Sequence, residues 1–448
     1  MRQLGEAAME KSFLVFIISL LISILNIAYA DVYDFTEGNQ LTLIQESKES
    51  EKIKLELVKK AQHHIHIMTY YWDSTTFPTE LIGELKKAHA RGVEIRITTT
   101  FIPTLATDVF LKSFWSLMNG KNDSKATLSF LLFKPTGTEV FTNNLHEKIF
   151  LVDGKKAILG GRNVSDNAQK AKDLEVILEG PVVNQVQNHF LKMFTFVNEL
   201  TRDFFCDDDD KKCLDNYNSD LFSQNDSSFF PTQKILDNGI QARILTHNAV
   251  IDSYKYEMDH DDRLNLKDDI IETITQTNFE KIRYYSYFII PTPYFQKFLE
   301  SSLANGKEIE VITNSLSSSA FISNKGYLYS LPQMKKLVKK GLNVHQWKGY
   351  NNLSYIHEKV MLFDDNHGII GSHNFGIGST TVSNEIAVEF YSTEIVKILS
   401  DVFDSEVANK QITKEISLKN IQKEIDDNEL TISILNLNFI ENILSEIY

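Results

Sequence analysis

Two stretches of the chain decide the expected fold: "LHEKIFLVDGKKAILGGRN", from Leu145 to Asn163, and "IHEKVMLFDDNHGIIGSHN", from Ile356 to Asn374. We call them the first and the second motif. Both place a histidine, a lysine, an aspartate and an asparagine at the same offsets, namely His146, Lys148, Asp153 and Asn163 in the first motif and His357, Lys359, Asp364 and Asn374 in the second. Such a repeat indicates a chain built from two related halves.

Each motif is expected to form a strand that turns back on itself. The histidine and the lysine stand two residues apart, so in an extended strand they face the same side. A tight turn at Gly154 or Asn366, followed by a returning strand, would bring the asparagine beside them. The small residues just before the asparagine, Gly160–Gly161 and Gly371–Ser372, allow a ligand to approach the backbone closely.

The repeat extends to the regions around the motifs. The alternating stretches "HIHIMTYYW" (64–72) and "IRYYSYFII" (282–290) predict strands, and each precedes a helical pattern that stops near Gly92 or Gly306. Strands that alternate with helices predict an α/β fold. We expect two pseudo-two-fold related lobes, each a mixed, largely parallel sheet flanked by helices.

The chain divides into five expected segments. These are a signal peptide at 1–30, a first lobe at 31–200, an acidic linker at 201–241, a second lobe at 242–411 and a helical tail at 412–448. Each lobe has a normal size for a domain.

Two histidines, two lysines and two asparagines suit a phosphodiester substrate. Lysine and asparagine donate hydrogen bonds to the non-bridging oxygens and stabilise the charge of the transition state. One neutral imidazole can attack phosphorus, and the other can protonate the leaving alkoxide and then deprotonate water. The reaction needs imidazoles on opposite sides of one phosphorus, which explains why the set occurs twice, and it requires no metal or other cofactor.

The two motifs resemble the paired HxKxxxxD signature of the phospholipase D superfamily, and the resemblance spans about residues 45 to 410. It implies that His146 is the nucleophile and His357 the acid and base. It also implies that Asp153 and Asp364 are mainly structural, and that the phosphate is bound by Lys148, Lys359, Asn163 and Asn374. The resemblance further implies that Glu385, and Asp173 in the first half, orient the motif histidines. The alternative is that Glu385 and Asp173 are only charged residues at the edge of a sheet.

The chain departs from the family pattern at two positions. Gly161 replaces the usual serine of the first motif. Gly378 stands where lipid synthases of the family often have arginine, which argues against a role like that of a cardiolipin synthase.

The N-terminus indicates export. Lys11 precedes the apolar run "SFLVFIISLLISILNI", and "AYA" at 28–30 follows it. This order is typical of a cleaved secretory signal, with an uncleaved membrane anchor as the alternative. We therefore expect a periplasmic or secreted protein.

Export bears on the two cysteines and on the acidic stretches. Cys206 and Cys213 would form a local disulfide in an oxidising compartment, with a free thiol pair as the alternative.

His64 and His66 share a strand face and suit a metal, although surface histidines are the simpler interpretation. Calcium as a regulator is the other metal hypothesis, with solvated loops as its alternative. Its candidate ligands are Asp207, Asp208, Asp209, Asp210, Asp259, Asp261 and Asp262.

The net charge of -14 counts against a general nucleic-acid binder. We expect an exported phospholipase D-type phosphodiesterase that hydrolyses or exchanges phospholipid headgroups at a membrane surface through a phosphohistidine. A nuclease of the same superfamily is the first alternative, and a non-enzymatic acidic surface protein is the second. Because both motifs are in one chain, the monomer should be active.

Aromatic residues at strand ends near the motifs should partly line the cleft and partly fill the core; they are Tyr70, Tyr71, Trp72, Phe101, Phe133, Tyr287, Phe288 and Trp347.

Overall fold

The computed structural model describes residues 33–100, 126–134, 143–205, 228–256, 268–318, 323–350 and 352–435. The signal segment, both cysteines and all seven candidate calcium ligands lie outside these ranges, so export, the disulfide and calcium binding stay predictions. Within the described ranges, no helix is long and apolar enough to cross a membrane.

The strands of the two halves follow one another in the same order. Those of the first half are β1 (Thr36–Ile44), β2 (His64–Thr69), β3 (Glu94–Thr100), β4 (Leu128–Phe133), β5 (Asn144–Leu145), β6 (Ile149–Val152), β7 (Lys156–Gly160), β8 (Ala171–Lys172) and β9 (Glu175–Glu179). Those of the second half are β10 (Ile240–Asn248), β11 (Lys281–Ser286), β12 (Glu308–Thr313), β13 (Asn343–Trp347), β14 (Tyr355–Ile356), β15 (Val360–Phe363), β16 (His367–Gly371), β17 (Ser383–Tyr391) and β18 (Thr413–Glu415).

The sheet order shows the expected pseudo-two-fold relation. The first half runs β4-β3-β2-β6-β7-β9-β1, and the second runs β13-β12-β11-β15-β16-β17-β10 with β18 outside β13. Strands β1 and β10 pair antiparallel and join the two sheets into one. The α/β fold with two related lobes is thus confirmed.

The strand directions correct one part of the prediction. In the main sheet, β2-β3-β4, β11-β12-β13 and the short pair of β5 with β17 run parallel, whereas the other neighbouring strands are antiparallel. The sheets are mixed, as expected, but "largely parallel" was wrong. A parallel pair needs a long crossover connection, whereas the motif strand β6 returns to β7 through three residues, which permits only an antiparallel hairpin.

Helices cover the sheet and supply the crossovers. They are α1 (Ser47–Lys60), α2 (Thr76–Ala90), α3 (Val182–Phe205), α4 (Ala249–Tyr256), α5 (Asp269–Gln276), α6 (Pro293–Ala304), α7 (Ser323–Lys339), α8 (Ile377–Val382), α9 (Thr393–Ala408), α10 (Leu418–Asp427) and α11 (Glu429–Leu435). Gly92 and Gly306 end α2 and α6 as predicted, with φ of 95° and 81° that a side chain disfavours.

One of the three buried hydrophobic clusters of the described residues is shared by the two halves. A single buried cluster contains Val176 of β9 and Phe190 of α3 together with Ile386 of β17 and Leu399 of α9. The segment expected to be a separate helical tail also joins the second half, because β18 pairs with β13 and Ile421 of α10 is fully buried in that half's core. The halves therefore meet along a packed interface, and this interface brings the motifs together.

Candidate active site

Two short parallel pairings cross between the halves and set the geometry of the site. The first joins β5, just before the first motif histidine, to the start of β17, with Leu145 opposite Asn384. The backbone N–H of His146 extends this ladder by donating to the carbonyl of Asn384 at 3.0 Å. The next residue of β17 is Glu385, which therefore reaches the histidine of the other half.

His146 and Glu385 form a buried pair across the interface. The Nδ1–H of His146 donates to both carboxylate oxygens of Glu385, at 2.9 and 3.0 Å. Glu385 is fully buried, which raises its pKa, but His146, His373 and Lys148 outweigh this effect and lower the pKa to about 2. The carboxylate is thus ionised and fixes the ring orientation of His146.

The second crossing repeats the arrangement in reverse. Strand β14 pairs with β8 so that Ile356 lies opposite Lys172, and the N–H of His357 donates to the carbonyl of Lys172 at 2.8 Å. The following residue, Asp173, then accepts the Nδ1–H of His357 at 2.8 Å. Each motif histidine is therefore oriented by a carboxylate from the opposite half. Because Asp173 and Glu385 are both buried, the alternative of sheet-edge charges was wrong.

Both imidazoles are held neutral. Burial lowers the pKa of His146 to about 3, with Lys148 and Lys359 contributing. Burial and the charge of Lys359 lower the pKa of His357 to about 4. Since each Nδ1 donates its proton to a carboxylate, each Nε2 has the free lone pair that attack on phosphorus, or acceptance of a proton, requires.

The two motif lysines lie in the same buried cluster. Burial lowers the pKa of Lys359 to about 8 and that of Lys148 well below its ordinary value. Each lysine feels the charge of both carboxylates, Asp173 and Glu385. The Nζ of Lys359 donates to the carbonyl of His357, and that of Lys148 to the carbonyl of His146. The structure thus brings together all six of these charged or titratable groups.

The motif asparagines end the strands next to the motif strands. Asn163 follows β7, and its Oδ1 accepts a hydrogen bond from the Oγ1 of Thr69 at 3.4 Å. Asn374 follows β16, and its backbone N–H donates to the Oγ of Ser379 at 3.0 Å. Their predicted role as phosphate ligands stays a prediction.

The motif aspartates lie at the other end of the motif strands. Asp153, with φ of 54°, accepts the backbone N–H groups of Gln62, His63 and His64 at 2.8 to 3.2 Å. Asp364, with φ of 48°, accepts the N–H groups of Glu280 and Lys281. Both tie the turn of a motif hairpin to the start of the neighbouring strand. These contacts fit the structural role that the resemblance implied.

The glycine that replaces serine in the first motif has a steric reason. A Cβ atom at Gly161 would lie 2.2 Å from the Oδ1 of Asp173, so no larger residue fits there. In the second motif the same position is Ser372, whose hydroxyl donates to Glu385. Ser379, on α8, donates to the other oxygen of Glu385 at 2.6 Å. Sequence reasoning missed both serines. The same offsets counted from Asn163 give Gly161 and Ala168, so the sequence shows that the first half has no serine at either position.

Aromatic residues of the expected set lie beside the motif histidines and in the core, and their lining of a cleft stays a prediction. The rings of Tyr70 and His146 lie 5.2 Å apart, and those of Tyr287 and His357 lie 5.8 Å apart. Core positions are occupied by Trp72, Phe133 and Trp347, which are buried, and Phe288 is also buried. Tyr71 is partly buried, and Phe101 lies outside the described residues.

The histidine pair of β2 is neither a surface feature nor a metal site in the described part of the chain. His64 and His66 are both fully buried, which corrects the expectation of surface histidines. Gln187 of α3 bridges them at 3.3 and 3.1 Å. Among the described residues, no group of three or more histidine, cysteine, aspartate or glutamate side chains could hold a metal. Helix α3 packs over this strand face and buries it.

Comparison with known proteins identifies relatives of the whole arrangement. The family described as cardiolipin synthase, phospholipase D-like domain, matches the chain twice, over residues 55–194 and 270–407. Cardiolipin synthase 2 of Staphylococcus epidermidis is 22% identical over 402 residues, which cover 88% of this chain and 73% of that protein. An uncharacterized protein of Helicobacter pylori is 23% identical over 382 residues, covering 76% of this chain and 74% of that protein.

The fold also occurs in a solved structure. The crystal structure of phosphatidylserine synthase from Haemophilus influenzae Rd KW20 has a TM-score of 0.64 with this chain, at 14% identity, and covers 91% of this chain and 94% of that one. At this identity the likeness shows the fold alone. The two family matches fall on the two halves and include every motif residue.

Proposed function

The chain belongs to the family of cardiolipin synthase phospholipase D-like domains, and from this premise we propose that it transfers the phosphatidyl group of a phospholipid to an alcohol or to water through a phosphohistidine. One observation carries the proposal. Two neutral imidazoles, that of His146 buried and that of His357 partly buried, are each oriented by an ionised carboxylate from the opposite half, beside two lysines.

The first step forms the covalent intermediate. The Nε2 lone pair of His146 attacks phosphorus, and the bond from phosphorus to the headgroup oxygen breaks. His357, protonated as the phosphodiester anion raises its pKa, gives its Nε2 proton to that oxygen. Lys148 and Lys359 neutralise the charge that develops on the non-bridging oxygens.

The second step releases the product. An alcohol or a water molecule loses its proton to the Nε2 of His357 and attacks phosphorus. The bond from phosphorus to His146 breaks, and the imidazole returns to its neutral state. Both steps use one imidazole on each side of phosphorus, and neither changes the charge of Asp173 or Glu385.

The difference in exposure supports this division of roles. The side chain of His146 is 6% exposed, whereas that of His357 is 20% exposed. An acid and base must exchange protons with headgroups, acceptors and solvent, so the more accessible ring suits that role. The buried ring suits a nucleophile from which water should be excluded.

The names of the relatives support a lipid substrate. They include two cardiolipin synthases of Staphylococcus epidermidis. The matches run against the expectation drawn from Gly378, so the missing arginine does not argue against a lipid synthase. The net charge of -14 disfavours a polyanionic nucleic acid as substrate. We further propose that the protein works outside the cytoplasm as a monomer, with calcium at most as a regulator.

Vesicles and DNA separate the candidate activities. The purified protein is incubated with vesicles of phosphatidylglycerol or phosphatidylcholine, with and without glycerol, and separately with plasmid DNA, each with calcium or a chelator. We expect exchanged or hydrolysed lipid from the vesicles, and none with His146→Ala. Cleavage of the DNA without any change in either lipid would show that the protein is a nuclease instead.

A further inference from the structure

The carboxylate that orients His146 is surrounded by hydroxyl donors. Ser379 donates to its Oε1 at 2.6 Å and Ser372 donates to its Oε2. Each hydroxyl also accepts a backbone N–H, from Asn374 at 3.0 Å for Ser379 and from Ile386 at 3.1 Å for Ser372. Because an ionised carboxylate can only accept, the proton in each of these contacts comes from the serine, and the carbonyl of Ile386, at 3.3 Å, is a more distant acceptor for Ser372. Both serines and Glu385 are buried.

The first half lacks this arrangement. Asp173 accepts the Nδ1–H of His357 and the backbone N–H of Leu174 at 2.9 Å. Across the described residues, no hydroxyl donates to it. The position equivalent to Ser372 is Gly161, where the carboxylate itself leaves no room for a side chain. The motifs are therefore symmetric in their histidines and asymmetric in what surrounds the carboxylates.

The charges that face the His146–Glu385 pair come from several elements. Lys148 precedes β6, Lys359 precedes β15, and His373 follows β16. The ring of Tyr70, after β2, lies against the imidazole. These neighbours stay in place whichever serine is replaced, so a change at Ser372 or Ser379 removes one donor to Glu385 and the acceptor of one backbone N–H.

Two hydroxyl donors have a definite effect on a buried carboxylate. Each hydrogen bond stabilises the anion and makes it a weaker partner for a positively charged ring. The imidazole beside it is then less easily protonated and keeps its lone pair. A carboxylate without such donors supports a protonated ring better.

We infer that Ser372 and Ser379 are positioning residues that keep His146 neutral and aligned as the nucleophile, while Asp173, with fewer donors, leaves His357 free to hold a proton. The inference rests on the proposed function, because it presupposes a phosphohistidine. It also links the loop at Asn374 to the nucleophile through one hydroxyl, that of Ser379. The serines act through Glu385 and touch no reacting atom.

The test is the acid limb of the pH profile. Wild type, Ser372→Ala, Ser379→Ala and the double variant are assayed for kcat/KM between pH 2 and pH 8, with a lipid analogue whose leaving group is nitrophenol and needs no proton. Formation of the covalent adduct is measured as the amount of substrate phosphorus that is bound to the protein by an acid-labile bond. Because each donor weakens Glu385 as a partner for a protonated His146, each loss should move the limb towards neutral pH by about one unit. In the double variant the limb should rise by about two units.

Three variants guard against a purely structural effect. Ser330→Ala removes another buried hydroxyl, which donates to the carbonyl of Tyr327 at 2.7 Å, and should leave the limb unchanged. Ser379→Thr retains the hydroxyl and should restore the wild-type limb. Ser379→Ala alone decides the matter if the double variant does not fold.

Two results would overturn the inference in different ways. If the variants lose activity by one factor at every pH, the serines are only structural, and the proposed function stands. If wild type forms no acid-labile adduct, the proposed function is wrong and the inference falls with it.

Discussion

Burial decides the charge state of single residues in this site. Lys148 and Lys359 are buried beside two ionised carboxylates, and their pKa values are lowered chiefly because burial disfavours the ammonium form. The same burial keeps both imidazoles neutral. The site can therefore hold a nucleophile and a phosphate-binding cation within one small volume, but only over a limited range of pH.

The first prediction concerns the upper end of that range. Lys359, with a pKa of about 8, loses its charge as the pH rises through that value and then no longer attracts the phosphodiester. With the nitrophenol analogue, kcat/KM should fall above about pH 8. In Lys359→Arg the guanidinium stays charged, so the fall should move to higher pH. An unchanged limb in the arginine variant would mean that another group titrates.

A second prediction concerns the steric limit at Gly161. Gly161→Ala places a methyl group against Asp173 and should displace the carboxylate that orients His357. We expect the free energy of unfolding to fall by about 1–3 kcal/mol, and kcat to fall on the order of 10²-fold. The matched control is Gly83→Ala in α2, where nothing lies within 4 Å of the added atom. Equal behaviour of the two variants in urea unfolding and lipid assays would refute the steric argument.

The motif hairpin is the element that presents each histidine and lysine. Both residues lie in the three-residue segment that leads into the motif strand, and the turn after that strand places an aspartate in the left-handed region, where the carboxylate caps N–H groups of the neighbouring strand. The two short crossing pairs, β5 with β17 and β8 with β14, then dock each hairpin against the opposite half. The element is thus anchored at both ends.

A third prediction tests the anchor at the turn. Asp153→Ala removes the acceptor of three backbone N–H groups and puts alanine at φ of 54°, so the free energy of unfolding should fall by about 3 kcal/mol. Asp153→Asn keeps an acceptor and tolerates this backbone, and should lose much less. The loss of unfolding free energy in Asp364→Ala should lie between these two values, because Asp364 accepts only two N–H groups and is more exposed. Denaturant unfolding measures all three, and a loss in Asp153→Asn as large as in Asp153→Ala would contradict this account.

At the scale of the whole molecule, neither half has a complete site. His146 depends on Glu385 and His357 on Asp173, so each half supplies the nucleophile or acid of one pair and the carboxylate of the other. The shared core and the continuous sheet hold this exchange in place. One chain is therefore sufficient to build both pairs.

The sequence predicted the parts of this arrangement that depend on local spacing. The helix ends at Gly92 and Gly306 are local signals, and the structure has them. The motif strands were predicted to contain the histidine and the lysine, but they begin just after them, at Ile149 and Val360. The exchange of carboxylates was not predictable, because residues 239 and 184 positions apart meet through pairings of two residues each, which leave no periodic pattern. The strand directions were predicted wrongly for a related reason. An alternating hydrophobic pattern predicts that a strand forms, but not whether its neighbour runs parallel or antiparallel to it.

The measurement that tests the central claim most directly is the location of the covalent intermediate. His357→Asn is mixed with the nitrophenol lipid analogue, quenched without acid and mapped by mass spectrometry, with His146→Ala in parallel. Because the leaving group needs no proton, attack proceeds, while loss of the base slows release by roughly 10²–10⁴-fold. We predict a phosphohistidine at His146 in the first variant and none in the second. An adduct at His357 in His146→Ala, or no adduct in either variant, would contradict the assignment of the two imidazoles to one phosphorus.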